Sequence, residues 1–213
     1  MKGYLIALVG PDGSGKTSVA CVLDQMLAEK KIPSVVINMG VSKPLLPSSK
    51  LLLRMSLAAR QGTEKITHVQ PPSAKKRITP IGLLKELAFL HSILEWYARY
   101  FFLIKPKLRK GYTVITDRYM YDFLIVDRLL SRSACFKRLM VGIIPKPDVL
   151  ACLFHDCDAI LERKNDNTKE ETIRQTELFF SLEPYVSSMM KIKTDTSIKQ
   201  TAQIILEKTG RLS

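Results

Sequence analysis

The stretch Gly10-Pro-Asp-Gly-Ser-Gly-Lys-Thr17 is the strongest indication of the fold of this chain, because it fits the phosphate-loop pattern G-x-x-x-x-G-K-[ST]. It follows an apolar, strand-like run (residues 4–9) and opens a helix-like run that reaches residue 27. Glycines let the backbone turn so tightly that several N–H groups face one phosphate chain, and the following helix adds its positive dipole end. Lys16 is expected to reach the β- and γ-phosphates of a nucleotide, and the Thr17 hydroxyl to bind Mg²⁺. The predicted nucleotide-binding residues are Gly10, Gly13, Ser14, Gly15, Lys16, Thr17 and Ser18.

The rest of the chain alternates strand-like and helix-like runs. Continuous β-branched runs between helices predict a parallel sheet that is covered on both faces. We therefore expect one α/β domain over residues 1–213, a P-loop NTPase three-layer sandwich of about five parallel strands. The predicted strands are 4–9, 34–38, 112–117, 149–154 and 191–193, and the predicted helices are 15–30, 82–104 (ending before Pro106), 120–130, 135–141, 156–164 (capped by Asp156), 168–189 and 197–208.

The charge balance favours anionic partners. The chain has 33 Lys and Arg against 20 Asp and Glu, a net charge of +13, which suits nucleotides, nucleic acids, anionic lipids or acidic polysaccharides without choosing among them. Residues 41–81 combine five prolines with many basic residues, including the cluster Lys75–Arg77, and contain one candidate helix at 51–59. This region is either a solvated insertion or a contact with nucleic acid or an anionic membrane.

The cysteines and the N-terminus indicate a cytoplasmic protein. The four cysteines form no C-x-x-C pair, the three histidines complete no zinc spacing, and nothing in the pattern requires disulfides. The N-terminus shows no signal-peptide pattern. The longest apolar region, residues 83–104, carries too many charges for a membrane span.

A second group of candidate residues follows the third predicted strand. Ligands of open α/β sheets bind at the carboxyl ends of strands, so Asp117 is expected to lie beside the loop and Lys16. Asp117 could hold Mg²⁺ through water, and Arg118 could bind an acceptor phosphate with its planar guanidinium. The alternative for these two residues is a surface ion pair near a turn.

A third group, Glu162-Arg-Lys164, lies in a charged segment that we interpret as a lid at about residues 155–175. Phosphoryl transfer needs positive charge over the transferring group, and Arg163 is the candidate to supply it, because Ser14 occupies a loop position where a basic residue would otherwise serve. The alternative is a solvated helix face.

These three groups, in this order, resemble the thymidylate kinase family. The shared features are the acidic residue at Asp12, Asp-Arg-Tyr at residues 117–119, the basic lid, and the closing segment at 193–197. The resemblance implies transfer of the γ-phosphoryl group of ATP, with Mg²⁺, to a nucleoside monophosphate, with dTMP the best guess. It also implies that Asp12 contacts the acceptor's sugar and Arg118 its phosphate, and that a homodimer is possible.

The acceptor side departs from the family's pattern. The family's Arg-Glu-Pro-Gly after the second strand is replaced by residues 38–44, and its stacking Phe and following Arg fall on His91 and Trp96. The family's serine and Tyr-Gln contacts after Asp-Arg-Tyr are also missing. Arg99 and Tyr121 are the predicted substitutes among the substrate-binding residues, and other charged residues stand nearby: Asp122, Asp127 and Arg128.

Two alternatives stay open, one supported by these departures and by the basic region, the other by the net charge and the Lys75–Arg77 cluster. One is a P-loop kinase of the same fold that acts on a non-nucleotide anionic or sugar acceptor. The other is a nucleotide-dependent switch or nucleic-acid-associated module without transfer activity. The set formed by Lys16, Thr17, Asp117, Arg118 and Arg163 argues against the second, because mere binding does not need all of them.

Overall fold

A computed structural model describes residues 3–40, 45–48, 91–122, 134–155, 169–186, 189–195 and 197–210. The chain divides into two compact units, one formed by Met1–Gly40 with Leu103–Ser213 and the other by Val41–Phe102. The predicted helices at 51–59 and 156–164 and most of the one at 120–130 lie outside the described residues. Within the described residues, no helix has the length and apolar character needed to cross a membrane.

The first unit is built on a five-stranded parallel sheet, as predicted. The strands are β1 (Tyr4–Val9), β2 (Ser34–Asn38), β3 (Thr113–Asp117), β4 (Val149–Phe154) and β5 (Met189–Lys193), and their order across the sheet is β2-β3-β1-β4-β5. β1 and β3 are almost entirely buried, which explains their continuous apolar sequence. β2 and β3 lie on one side of β1, and the chain then crosses to add β4 and β5 on the other side. The carboxyl end of β1 is therefore the switch point at which such sheets bind ligands.

Helices cover the sheet. They are α1 (Lys16–Glu29), α2 (Lys105–Arg109), α3 (Ala134–Ile143), α4 (Lys169–Phe180) and α5 (Ile198–Lys208). Leu23 and Leu27 of α1 and Ile205 of α5 are fully buried in one apolar cluster with side chains of β1, β3, β4 and β5. Each such side chain stabilises the fold by roughly 1.5–3 kcal/mol. This cluster fixes α1, and therefore the loop before it, against the sheet.

The start of α5 follows from its sequence. The Ser197 hydroxyl accepts a hydrogen bond from the Gln200 N–H (3.2 Å), and the Gln200 side chain accepts one from the Ser197 N–H (3.3 Å). This capping box satisfies two N–H groups that otherwise have no partner within the helix. The predicted helix at 197–208 is therefore found with Ser197 as its cap.

Two predicted helix ends are wrong. Residues 91–99 are α-helical, Tyr100–Ile104 form a π-helical turn, and α2 then includes Pro106 in its first turn. Proline is tolerated there because the missing N–H has no helical partner in a first turn. The helix predicted at 168–189 ends at Phe180, and Pro184 lies in a short 3₁₀ helix, Glu183–Tyr185, ahead of β5.

We expect Gly10→Ala to destabilise the fold by about 2 kcal/mol or more. Gly10 has φ of 141°, and a Cβ at this position would collide with the Leu153 carbonyl of β4. The matched control is Gly142→Ala in α3, where a Cβ meets nothing within 4 Å. Urea unfolding of both variants checks this, and equal stability of the two would contradict the close packing of β1 on β4.

Candidate active site

The loop between β1 and α1 wraps around the ammonium group of Lys16. Lys16 Nζ donates hydrogen bonds to the carbonyl oxygens of Gly10 (2.9 Å) and Pro11 (2.7 Å) and lies 3.4 Å from Ser14 Oγ. Burial lowers the pKa of Lys16, and nearby Arg118 lowers it further, while carboxylates of the site oppose this shift. The loop therefore holds a desolvated cation at the start of a helix.

The N-terminus of α1 suits a phosphate. Its N-cap residue, Gly15, has φ of 88° and offers no side chain to the first N–H groups of the helix. Those N–H groups carry the positive end of the helix dipole, and an anion is their natural partner. Thr17 and Ser18 are both exposed in this first turn. The predicted nucleotide-binding residues are thus brought together in one loop and helix turn.

Asp117 joins the loop to the neighbouring strands. Its Oδ2 atom accepts a hydrogen bond from Thr17 Oγ1 at 2.7 Å and one from Asn38 Nδ2 at 3.2 Å. The parallel register places Asp117 opposite Leu8 of β1 and opposite Asn38 of β2, so the three strand ends meet here. Asn38 was not predicted as a site residue, because a single amide at the end of a strand carries no recognisable pattern.

Arg118 and Asp12 form an ion pair at the rim of the same site. Arg118 has φ of 71°, a left-handed conformation that costs a non-glycine residue about 1–2 kcal/mol. Its N–H donates to the Leu8 carbonyl oxygen at 3.1 Å, which holds this backbone conformation in place. Both side chains are about one-third exposed (34% and 35%), so solvent screening leaves the pair weak enough for a ligand to replace.

Asp122 is a buried carboxyl close to this group of charges. It accepts a hydrogen bond from the Tyr119 N–H at 2.8 Å, which closes the first turn of a helix at residues 120–122. Burial raises the pKa of Asp122 to about 6, although Lys16, the Tyr119 N–H and Arg118 act in the opposite direction. The carboxyl is thus easier to protonate than an exposed aspartate.

The predicted substrate residue Tyr121 is fully buried. Its ring lies 5.8 Å from that of Tyr119, whose hydroxyl donates to the Pro145 carbonyl oxygen at 2.6 Å. Burial raises the pKa of Tyr121 to about 12, and its hydroxyl has no hydrogen-bond partner among the described residues. A role in substrate binding stays a prediction for this residue.

Thr194 connects the segment after β5 to the phosphate loop. Its hydroxyl lies 3.2 Å from the Ser14 carbonyl oxygen and 3.1 Å from that of Phe154 at the end of β4. Ser14 is fully buried. The closing segment identified in the sequence therefore supports the loop from the side opposite Asp117.

Arg99 belongs to the second compact unit, where it pairs with a carboxylate. Its Nε atom donates to Glu95 Oε1 at 2.9 Å, and both side chains are about 95% buried. Glu95 also accepts hydrogen bonds from the N–H groups of Leu45 and Leu46. Arg99 thus helps to neutralise a buried carboxylate, and its predicted contact with the acceptor stays a prediction. Arg163 lies outside the described residues.

The oxygen atoms around Thr17 and Asp117 fit Mg²⁺ better than a softer metal. In the part of the chain that the structure describes, no three His, Cys, Asp or Glu side chains form a metal-binding group. Mg²⁺ needs no such group, because it is bound by one or two protein oxygens together with waters and phosphates.

Comparison with known proteins supports the resemblance seen in the sequence. No protein-family model matches the chain. A probable thymidylate kinase from Pyrobaculum aerophilum is 28% identical over 148 residues, which cover 70% of this chain but only 62% of that protein. The structures of the thymidylate kinases from Ehrlichia chaffeensis (TM-score 0.60; 98% and 99% of the two chains covered) and Candida albicans (TM-score 0.68; 99% and 93%) are similar, each at 18% identity. The predicted P-loop NTPase fold is therefore confirmed.

We expect the stability of the Asp122→Asn variant, compared with that of the wild type at the same pH, to increase as the pH rises. The pKa of Asp122 is about 6 when folded and 3.8 when exposed, so the folded chain binds more protons between these values. This carboxyl's contribution to stability consequently falls from about pH 4 to pH 6, and asparagine removes that loss while it still accepts the Tyr119 N–H bond. Relative to wild type, the variant should gain roughly 2–3 kcal/mol between pH 4 and pH 7.5 in urea unfolding. A difference that does not change with pH would contradict the burial argument.

Proposed function

We propose that the chain is an ATP- and Mg²⁺-dependent phosphotransferase of the nucleoside monophosphate kinase type, with dTMP as its acceptor. The observation that carries this proposal is the convergence of Lys16, the Thr17–Asp117 hydrogen bond and the Asp12–Arg118 pair at the carboxyl ends of β1 and β3. The match to a probable thymidylate kinase supports dTMP over a non-nucleotide acceptor and over a binding module without transfer activity.

The donor nucleotide is assigned to the phosphate loop. The N–H groups at the start of α1 would bind the phosphates, and Lys16 would exchange its contacts with the Gly10 and Pro11 carbonyl oxygens for phosphate oxygens. A bound Mg²⁺ would neutralise charge on the phosphates, held by the Thr17 hydroxyl and, through water, by Asp117. The Thr17 hydroxyl can donate its proton to Asp117 Oδ2 while its lone pairs remain available to a metal.

The acceptor is assigned to the rim beside the loop. Asp12 and Arg118 neutralise one another in the free chain. An incoming monophosphate would compete with Asp12 for Arg118, and a hydroxyl of its sugar would donate a hydrogen bond to Asp12. The guanidinium group offers a planar pair of donors that matches a phosphate. Once these contacts have been exchanged, the Lys16 ammonium and the Arg118 guanidinium would both supply positive charge that stabilises the transferring group.

We also propose roles for the lid segment and for the basic region of the chain. Arg163 would add positive charge when a lid closes over the nucleotide. The proposed location is the cytoplasm, where a homodimer is possible. Residues 41–81 are either a solvated insertion or a contact with nucleic acid or an anionic membrane.

We expect Lys16→Ala to lower kcat with Mg²⁺–ATP and dTMP at least about 100-fold, because it removes a buried cation from the developing charge. ADP release across a panel of nucleoside monophosphates that includes dTMP and dUMP measures this. Lys30→Ala, the same change at the exposed end of α1, should leave turnover unchanged. If the wild type binds ATP but releases no ADP with any nucleoside monophosphate of the panel, the proposed acceptor class is wrong.

We expect Arg118→Lys to raise the KM for the acceptor about 10-fold and to leave the KM for ATP nearly unchanged. Lysine keeps the charge but loses the planar pair of donors. Arg109→Lys, at the exposed end of α2, is the matched control. Steady-state kinetics with each substrate varied separately check this, and a rise confined to the KM for ATP would place Arg118 on the donor side instead.

A further inference from the structure

The turn that ends β2 reaches the active site through the side chain of Asn38. Asn38 lies opposite Asp117 in the parallel register, and its Nδ2 atom donates to Asp117 Oδ2 at 3.2 Å. The thymidylate kinase family carries Arg-Glu-Pro-Gly at this turn. Because that motif is replaced here, its role in the family cannot be transferred to this turn.

The orientation of the amide is fixed by a second contact. Asn38 Oδ1 accepts a hydrogen bond from the Gly40 N–H at 2.7 Å, which closes an Asx turn. Because the carbonyl oxygen must face the Gly40 donor, the NH₂ group must face the Asp117 carboxylate. A flipped amide would bring two donors together at Gly40 and two acceptors together at Asp117.

The two oxygen atoms of Asp117 consequently have different surroundings. Oδ2 accepts hydrogen bonds from both Thr17 and Asn38. Among the residues that the structure describes, no hydrogen bond is donated to Oδ1. One oxygen is therefore anchored from two sides, and the other is left for a metal-bound water.

Gly40 leaves the space that the amide occupies. A Cβ at this position would lie 2.8 Å from Asn38 Oδ1 and 3.5 Å from Arg118 Cδ. The nearer atom is the end of a side chain, so alanine at position 40 would push the amide away from its place. The absence of a side chain at Gly40 thus leaves room for the Asn38 amide, and a Cβ there would also meet the stem of Arg118.

We propose that Asn38 is a positioning residue that orients the Asp117 carboxylate for the Mg²⁺ of the bound nucleotide. The inference rests on the proposed function, since it takes Mg²⁺–ATP as the ligand. Partners that orient metal-binding groups typically contribute about 10–100-fold to metal affinity. Asn38 is exposed at the end of an edge strand, so its contribution to stability is small.

The test is ATP binding, measured by isothermal titration calorimetry with Mg²⁺ and again in EDTA. In Asn38→Ser the hydroxyl can still accept the Gly40 N–H but is too short to reach Asp117. Gly40→Ala displaces the amide without removing it. In both variants the Mg²⁺-dependent gain in ATP affinity should fall about 10-fold, with affinity in EDTA unchanged. Ser34→Ala, which removes a hydrogen bond to Asp24 at the other end of β2, is the matched control.

The outcomes separate this inference from the proposed function. Three results would each overturn the role of Asn38. Asn38→Ser could keep the full Mg²⁺-dependent gain in ATP affinity, or it could lose as much ATP affinity in EDTA as in Mg²⁺. The third is that Mg²⁺ does not change the ATP affinity of the wild type. If the wild type binds Mg²⁺–ATP but phosphorylates no nucleoside monophosphate, the proposed acceptor fails while the calorimetric comparison still decides the role of Asn38.

Discussion

The hydrogen bond from Thr17 to Asp117 is the contact on which the site depends. It joins two residues that are 100 positions apart, and it forms because β1 and β3 are parallel neighbours in register. The helix that begins at Lys16 is fixed by its apolar face against the same sheet. The position of the hydroxyl is therefore set by the core, and the position of the carboxylate by the strand, before any ligand binds. Preorganisation of this kind lowers the reorganisation that a charged ligand would otherwise require.

Lys16 shows what this arrangement costs and how the cost is offset. A buried ammonium group is expensive, and its lowered pKa reflects that expense. The carbonyl oxygens of Gly10 and Pro11 compensate by accepting its protons, and they can do so because the loop folds back on itself at glycines with positive φ. Phosphate oxygens are stronger acceptors than carbonyl oxygens, so a nucleotide can replace these contacts with a net gain.

The fold was predictable because its main signals are local. Buried β-branched runs gave the strands, and the loop pattern identified the switch point of the sheet. The continuation of the helix past Pro106 was not predictable by the same means, because proline is compatible with a first turn as well as with a helix end. The helix predicted at 168–189, in contrast, should have ended before Pro184, because proline is disfavoured in a helix interior. Asp12 and Arg118 were predicted to contact one acceptor, and that role stays a prediction. Their ion pair depends on the strand order, which no local pattern contains. Asn38 was missed for the same reason. The Glu95–Arg99 ion pair could have been predicted from its i,i+4 spacing, which is a usual sign of a helical ion pair.

The most direct test of the account is a crystal structure of the chain with Mg²⁺ and a non-hydrolysable ATP analogue. We expect Mg²⁺ on the Thr17 hydroxyl with Asp117 in contact through water, and Lys16 Nζ moved from the Gly10 and Pro11 carbonyl oxygens to the phosphates. Two results would contradict the claim that the strand ends form a nucleotide site. In one, the analogue binds away from this loop. In the other, its phosphates lie in the loop while Lys16 Nζ still donates to both carbonyl oxygens.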